Sequence, residues 1–261
     1  MKSVAIYGKG GIGKSTLASN IAYAISEFGL KVLLIGCDPK SDSTINIIGK
    51  RIPALLDLMK INKNPSIDMF LFKGLNNISC IEIGGPEPGV GCAGRGLIVG
   101  INYLLKNLDI NNYDFIIFDV PADIVCGGLA IVVKEKYAEG VIIVTSDDFM
   151  SIYAANNICR GLNTLKVNAF GILYNKPIKN GNKYIEKFSK KVNLPIIGII
   201  PYSEEIINAN KIMKTIIELY PNSNISNIIR SISLSILNIK EGRIPNYLSI
   251  NELEEIFYEN S

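Results

Sequence analysis

The sequence of 261 residues contains no histidine. This absence excludes histidine-based acid–base catalysis and histidine-ligated metal sites within the chain. Cysteine is also scarce, and its odd count, without a secretory signal, indicates reduced thiols rather than a disulfide framework. The five cysteines are Cys37, Cys80, Cys92, Cys126 and Cys159.

The sequence also has little net charge and no long apolar run. A formal charge of +3 is too small to indicate a nucleic-acid surface. The longest apolar runs, such as residues 141–144, are the size of strands and far from the roughly 18 residues that cross a bilayer. The amino-terminal segment enters a short strand and a glycine loop and does not resemble a signal peptide. We expect a cytoplasmic protein without a nucleic-acid or membrane partner.

Apolar strand-like runs alternate with amphipathic helical segments along the chain. The length suits a single domain over residues 1–261, and the alternation predicts an α/β fold: a mostly parallel, doubly wound sheet covered by helices on both faces. Ligands of such sheets bind beyond the carboxyl ends of the strands. Residues 60–77 are expected to be irregular. We predict strands at residues 4–7, 32–36, 115–118, 141–145, 171–174 and 196–199, and a helix at residues 16–28.

A glycine loop between the first strand and helix matches the P-loop pattern G-x-x-x-x-G-K-[ST]. Its amides and the helix terminus favour phosphate binding, Lys14 can reach the β/γ oxygens, and Ser15 can complete a magnesium shell. An ordinary glycine-rich turn is the alternative, but the spacing and the flanking elements favour an ATP site. The loop consists of Gly8, Lys9, Gly10, Gly11, Ile12, Gly13, Lys14, Ser15 and Thr16.

Two acidic residues end predicted strands. Asp119 has the position of a Walker-B carboxylate, which acts on magnesium or its water. Asp38 follows the strand at residues 32–36. Acidic residues at strand ends are common turn formers. Beside a complete P-loop, we interpret both as catalytic candidates.

Several motifs together resemble the nitrogenase iron protein family. They occur in the order of that family between residue 1 and about residue 221, whereas the tail from residue 225 resembles it poorly. Lys9 resembles the second lysine of the deviant P-loop in dimeric ATPases, where it reaches the partner's nucleotide. The matching motifs are residues 8–16, 36–44, 84–96, 119–128 and 153–157.

The resemblance implies roles for particular residues. Cys92 and Cys126 are expected to bind a 4Fe-4S cluster, Asp38 to help activate the hydrolytic water, and Asp123 to act in a nucleotide switch. Asn175 matches a position that contacts adenine. The remaining nucleotide-site residues implied by the resemblance are Lys40, Asp42 and Pro201.

A 4Fe-4S cluster normally takes four thiolates, and only Cys92 and Cys126 lie in glycine-rich loops. Two copies of the chain can supply four ligands across a two-fold axis, which predicts a homodimer. The other three cysteines have apolar neighbours and are expected to be small buried residues. Asp119 and Cys126 are seven positions apart, so a shift of the chain between them could couple the nucleotide to the cluster.

The implied activity is ATP-dependent electron transfer to a nitrogenase or nitrogenase-like protein, with ferredoxin or flavodoxin as the donor. Two departures from the family favour a nitrogenase-like relative that reduces tetrapyrroles, such as the methanogen nickel-sirohydrochlorin reductive cyclase component. Ala122 replaces a glycine after Pro121, which predicts a stiffer or differently tuned switch. Residues 202–203 replace an expected Arg-Asp pair.

Two other functions share parts of these motifs. A positioning ATPase of the division or partition type would need the P-loop and Asp119 but neither Cys92 nor Cys126. Such proteins often end in a basic amphipathic helix, whereas residues 250–261 are acidic. A carrier that delivers a cluster rather than electrons is the second alternative.

Overall fold

The computed structural model describes residues 1–85, 93–121, 131–177 and 182–258. These residues form one sheet in the order β3-β4-β2-β5-β1-β6-β7-β8, parallel except for β3 against β4. The predicted, mostly parallel sheet is thereby confirmed. The strands are β1 (Lys2–Gly8), β2 (Val32–Gly36), β3 (Phe72–Lys73), β4 (Ile78–Glu82), β5 (Phe115–Asp119), β6 (Gly140–Thr145), β7 (Ala169–Asn175) and β8 (Ile196–Ile200).

Helices cover both faces of the sheet. The helices are α1 (Lys14–Ser26), α2 (Ile45–Ile48), α3 (Leu55–Ile61), α4 (Ile67–Phe70), α5 (Ala93–Asn107), α6 (Ile131–Lys134), α7 (Phe149–Leu165), α8 (Asn182–Val192), α9 (Glu204–Lys211), α10 (Ile216–Leu219), α11 (Asn224–Asn238) and α12 (Ile250–Tyr258), with a 3-10 turn at Ile110–Asn112. No helix in the described part of the chain has the length and apolarity to cross a membrane.

The core has two layers because successive side chains of a strand point to opposite faces. In β1, Ala5 and Tyr7 join the layer that includes residues of α5, α7, α8 and α12. Val4 and Ile6 join the layer that includes residues of α1 and α11. Both faces of β1 are therefore buried, as its continuous apolar sequence predicts.

The regions without clear periodicity contain regular elements. Residues 60–77 were expected to be irregular, but they include α4 and β3, where the fully buried Phe70 joins the core. Glu82 ends β4, a buried strand that the predicted set omits. In the tail, α11 packs on α1 through a buried row of isoleucines. That row consists of Ile225, Ile229, Ile232 and Ile236.

Candidate nucleotide site

The P-loop runs from the carboxyl end of β1 to the start of α1. Gly13, which precedes α1, has a φ of 104°, and a Cβ there would lie 2.8 Å from Nδ2 of Asn175. Both conditions favour glycine. The amide of Ile12 donates to the carbonyl oxygen of Lys9 over 3.2 Å. The loop therefore folds back on itself directly before the helix.

Lys14 is buried at the start of α1, with 7% of its surface exposed. Its Nζ donates to the carbonyl oxygen of Lys9 over 3.3 Å. Burial lowers the pKa of Lys14, while the negative charges of Asp119 and Asp38 oppose that effect. An ammonium group has three donors, and only this one acceptor is found for it among the described residues. Lys14 is thus placed to bind an anion such as a nucleotide phosphate.

Asp119 lies at the end of β5 with 1% of its surface exposed. The Ser43 hydroxyl donates to its Oδ2 over 2.7 Å. Burial raises the pKa of Asp119, opposed by the nearby hydroxyls of Ser15 and Ser43 and by Lys14. Its Oδ1 accepts no hydrogen bond of normal geometry from the described residues, although Ser15 is close. A buried carboxylate oxygen without a donor fits a magnesium ion or its water.

Asp38 shapes the loop after β2 as well as facing the site. Its Oδ1 accepts from the amide of Lys40 over 2.9 Å, and its carbonyl accepts from Ser41 over 3.0 Å. Asp38 is half-buried, while Lys40 and Asp42 are exposed. Asp38 therefore does form a turn, and its charge also acts on Lys14. The structural and the functional interpretation of this residue are compatible.

A cleft opens beside the P-loop. Asn175, at the end of β7, is buried and donates from Nδ2 to the Ile12 carbonyl over 2.7 Å. The cleft brings together Asn175 and Pro201 with residues of α1 and α9, including Thr16 and Asn210. Two residues that the family resemblance assigns to the nucleotide thus share one concave surface with the loop.

Two acidic residues near the site were not identified by the sequence analysis. Nζ of Lys9 lies 3.6 Å from Oδ1 of Asp148, whose side chain also accepts from the amide of Ser151 in the first turn of α7. Partial burial raises the pKa of Asp148, but hydrogen bonds from Ser146 and Ser151 and the charge of Lys9 outweigh it and lower the pKa to about 2. An aspartate before an apolar helical run is a common helix-cap pattern. That pattern could have identified Asp148.

Glu82 is the second missed residue. It is fully buried at the end of β4, and its Oε1 accepts from the amide and the hydroxyl of Thr44 over 2.8 and 2.7 Å. Burial raises its pKa to about 7, against the hydrogen bonds from Thr44. The pattern that identified Asp119, an acidic residue at the end of an apolar run, could also have identified Glu82.

Three of the five cysteines were expected to be buried, and the structure confirms this. Cys37, Cys80 and Cys159 are buried, as predicted, and burial raises the pKa of each thiol. A raised pKa disfavours the thiolate that binds iron. Cys92, Cys126 and Asp123 lie outside the described residues, so their roles stay predictions. Within the described ranges, no cluster of three or more His, Cys, Asp or Glu residues could hold a metal ion.

Comparison with known proteins identifies the family of this chain. Residues 2–261 match the family of 4Fe-4S iron sulfur cluster binding proteins, NifH/frxC family. The chain belongs to this family. The family resemblance predicted from the motifs is thereby confirmed. The match also includes residues 225–261, which carry none of those motifs.

Full-length relatives support the family assignment. Nitrogenase iron protein 2 of Methanobacterium ivanovii is 48% identical over 258 residues, with 98% of each chain covered. The nitrogenase iron protein of Methanococcus voltae is 43% identical over 266 residues, covering 98% of this chain and 95% of that protein. The chain is thus similar to nitrogenase iron proteins along nearly its whole length.

Solved structures confirm the predicted P-loop ATPase fold. The cell division protein MinD of Aquifex aeolicus superposes with a TM-score of 0.71 at 22% identity, covering 95% of this chain and all of that one. MinD of Pyrococcus horikoshii, solved with Mg-ADP, gives a TM-score of 0.73 at 18% identity, covering 91% and 96%. At these identities the likeness shows the fold alone.

Proposed function

We propose that this chain is an ATP-hydrolysing iron–sulfur reductase that works as a cytoplasmic homodimer. MgATP binding and hydrolysis would drive low-potential electron transfer to a nitrogenase or nitrogenase-like partner, with ferredoxin or flavodoxin as the electron source. The observation that carries the nucleotide half of the proposal is Asp119, which is buried beside Lys14 and Ser15 and has one oxygen without a donor. Family membership supports the iron–sulfur half.

Each of the described site residues would have a separate role in binding or hydrolysing the nucleotide. Lys14 would neutralise the β/γ oxygens, and Ser15 with Asp119 would hold magnesium or its water. Asp38 would orient the hydrolytic water, and Asn175 with Pro201 would contact the base. Lys9 is paired with Asp148 within its own subunit. We propose that it exchanges this partner for the nucleotide of the second subunit on dimer closure.

Cys92 and Cys126 of both subunits would hold one bridging 4Fe-4S cluster. A 4Fe-4S cluster supplies a one-electron carrier whose potential depends on hydrogen bonds and solvent exposure. The three buried cysteines support this choice, since their thiolates are disfavoured. Asp123 and residues 119–126 would link the nucleotide to the cluster.

Iron content of cysteine variants tests the proposed ligands. Anaerobically purified Cys92→Ser or Cys126→Ser should lose most of the iron of the dimer, because each substitution removes two of four ligands. Cys37→Ser and Cys80→Ser are the matched controls and should keep it. Iron lost from the controls and retained in Cys92→Ser would contradict the assignment.

A further inference from the structure

The loop after β2 is attached to the strands on both sides of β2. Ser43 donates to Asp119 of β5, and Thr44 donates twice to Glu82 of β4. Gly36 of β2 is in register with both acidic residues, so the three strands end side by side. Ser43 thus connects the loop to the candidate magnesium ligand, whereas Thr44 connects it to a different strand.

Glu82 and Thr44 form a buried contact. Both are at most 1% exposed, and Oε1 of Glu82 accepts both hydrogen bonds from Thr44. Oε2 is buried and has no hydrogen-bond partner among the described residues. A side chain at Gly36 would collide with Oε2. Since buried hydrogen bonds to a carboxyl group are costly to break, Glu82 fixes the end of the loop against β4.

The chain beyond β4 also packs against this loop. A Cβ at Gly84 would lie 3.5 Å from Oγ of Ser41, and a Cβ at Gly85 would lie 2.5 Å from Cβ of Pro39. The distance at Gly84 is an ordinary van der Waals contact, whereas glycine at position 85 is what lets the chain approach Pro39 closely. Cys92, a predicted cluster ligand, follows Gly85 by seven positions in the sequence.

We propose that Glu82 is a positioning residue that transmits nucleotide-driven movement of residues 38–44 to the chain that follows β4 and leads to Cys92. The inference rests on the proposed function, since a nucleotide must move the loop. The segment from Asp119 to Cys126 links the site to one predicted ligand. Glu82 adds a second link, to the other predicted ligand, through contacts with Thr44 that the structure shows directly.

Hydrogen–deuterium exchange of the anaerobically purified protein tests this link. Exchange is compared with MgATP, with MgADP and without nucleotide, in peptides covering residues 37–48 and 82–92. In the wild type, MgATP should change exchange in both peptides. In Glu82→Ala, peptide 37–48 should still respond, while the response of peptide 82–92 should fall about fivefold, as expected for the loss of hydrogen bonds of ordinary net strength.

Two further variants separate hydrogen bonding from simple disruption. Glu82→Gln keeps an oxygen that accepts from Thr44 and should retain most of the response, whereas Thr44→Val removes the hydroxyl donor and should lower it. Cys80→Ala is the matched control, because Cys80 is also buried in β4 but forms no hydrogen bond with the loop. It should respond like the wild type.

A full response of peptide 82–92 in Glu82→Ala would overturn the inference. If Glu82→Ala does not fold, an unchanged response in Thr44→Val would overturn it equally. A wild type that responds at 37–48 but not at 82–92 would refute this link and leave the proposed function standing. No response to MgATP in either peptide would instead contradict the proposed function itself.

Discussion

At the scale of single residues, the site depends on buried charges that oppose one another. Lys14 is buried, which lowers its pKa, and Asp119 is buried, which raises its pKa. Each group reduces the shift of the other because their charges are opposite. A phosphate with magnesium supplies the charges that both lack. The charges of the candidate site are therefore complementary to those of MgATP.

Replacing Lys14 tests the phosphate interaction. Lys14→Ala should lower the rate of ATP hydrolysis by roughly 10²–10³-fold or more, because the developing charge loses a positioned donor. Lys73→Ala, on the exposed strand β3, is the control and should hydrolyse ATP at the wild-type rate. Steady-state phosphate release measures both. Unchanged turnover in Lys14→Ala would refute the P-loop assignment.

The raised pKa of Glu82 predicts a pH-dependent stability. The folded protein keeps this proton up to about pH 7, whereas the unfolded chain releases it near 4.5. The folded state then binds more protons, so the free energy of unfolding should fall as the pH rises from 4.5 to about 7. Burial is the main cause, with the charges of Asp119 and Asp42 adding to it.

Glu82→Gln removes this titration. The free energy of unfolding of the wild type, relative to this variant, should decrease by roughly 2–3 kcal/mol across that pH range. Chemical denaturation at several pH values measures the difference. A difference that stays constant with pH would show that Glu82 is ionised at an ordinary pKa.

At the scale of elements, the strands with continuous apolar sequence could be predicted. Residues 32–36 have the predicted bounds, and the other predicted strands differ by one or two residues at their ends. Asp119 and Asn175 lie at the carboxyl ends of β5 and β7, on the same edge of the sheet. These strands could be predicted because a buried parallel strand is apolar on both faces.

The features that could not be predicted from the sequence depend on contacts between residues distant in the chain. Glu82 became significant only once β4 was placed beside β2, because Thr44 is 38 positions away. Likewise, Asp148 meets Lys9 through the neighbouring strands β6 and β1. Local pattern could not indicate either pair. No helix was predicted in the tail, because its asparagine and isoleucine content is ambiguous between helix and strand until packing decides.

Helix α11 provides a prediction for the tail. Ile229 is 1% exposed and packs in the layer with α1, so Ile229→Ala should lower the free energy of unfolding by about 2–5 kcal/mol. Leu234→Ala is the control on the same helix, since Leu234 is 49% exposed. That variant should change stability by less than about 0.5 kcal/mol. Equal effects in denaturant titrations would show that α11 is not part of the core.

At the scale of the whole molecule, the chain shares its fold with the cell division protein MinD and belongs to a family of 4Fe-4S iron sulfur cluster binding proteins. The carboxyl edge of the sheet carries the candidate nucleotide site, and both predicted cluster ligands follow strands that end at this edge. Cys92 follows β4, and Cys126 follows β5. A change at the nucleotide can therefore reach both ligands through short segments of chain.

The central claim, that MgATP acts on a cluster, is tested most directly by iron chelation. With an iron(II) chelator and the reduced wild-type dimer, extraction should be faster with MgATP than with MgADP or without nucleotide. Typical coupling free energies correspond to roughly 5- to 150-fold. Lys14→Ala should show no acceleration. Equal extraction rates under all three conditions in the wild type would contradict the account.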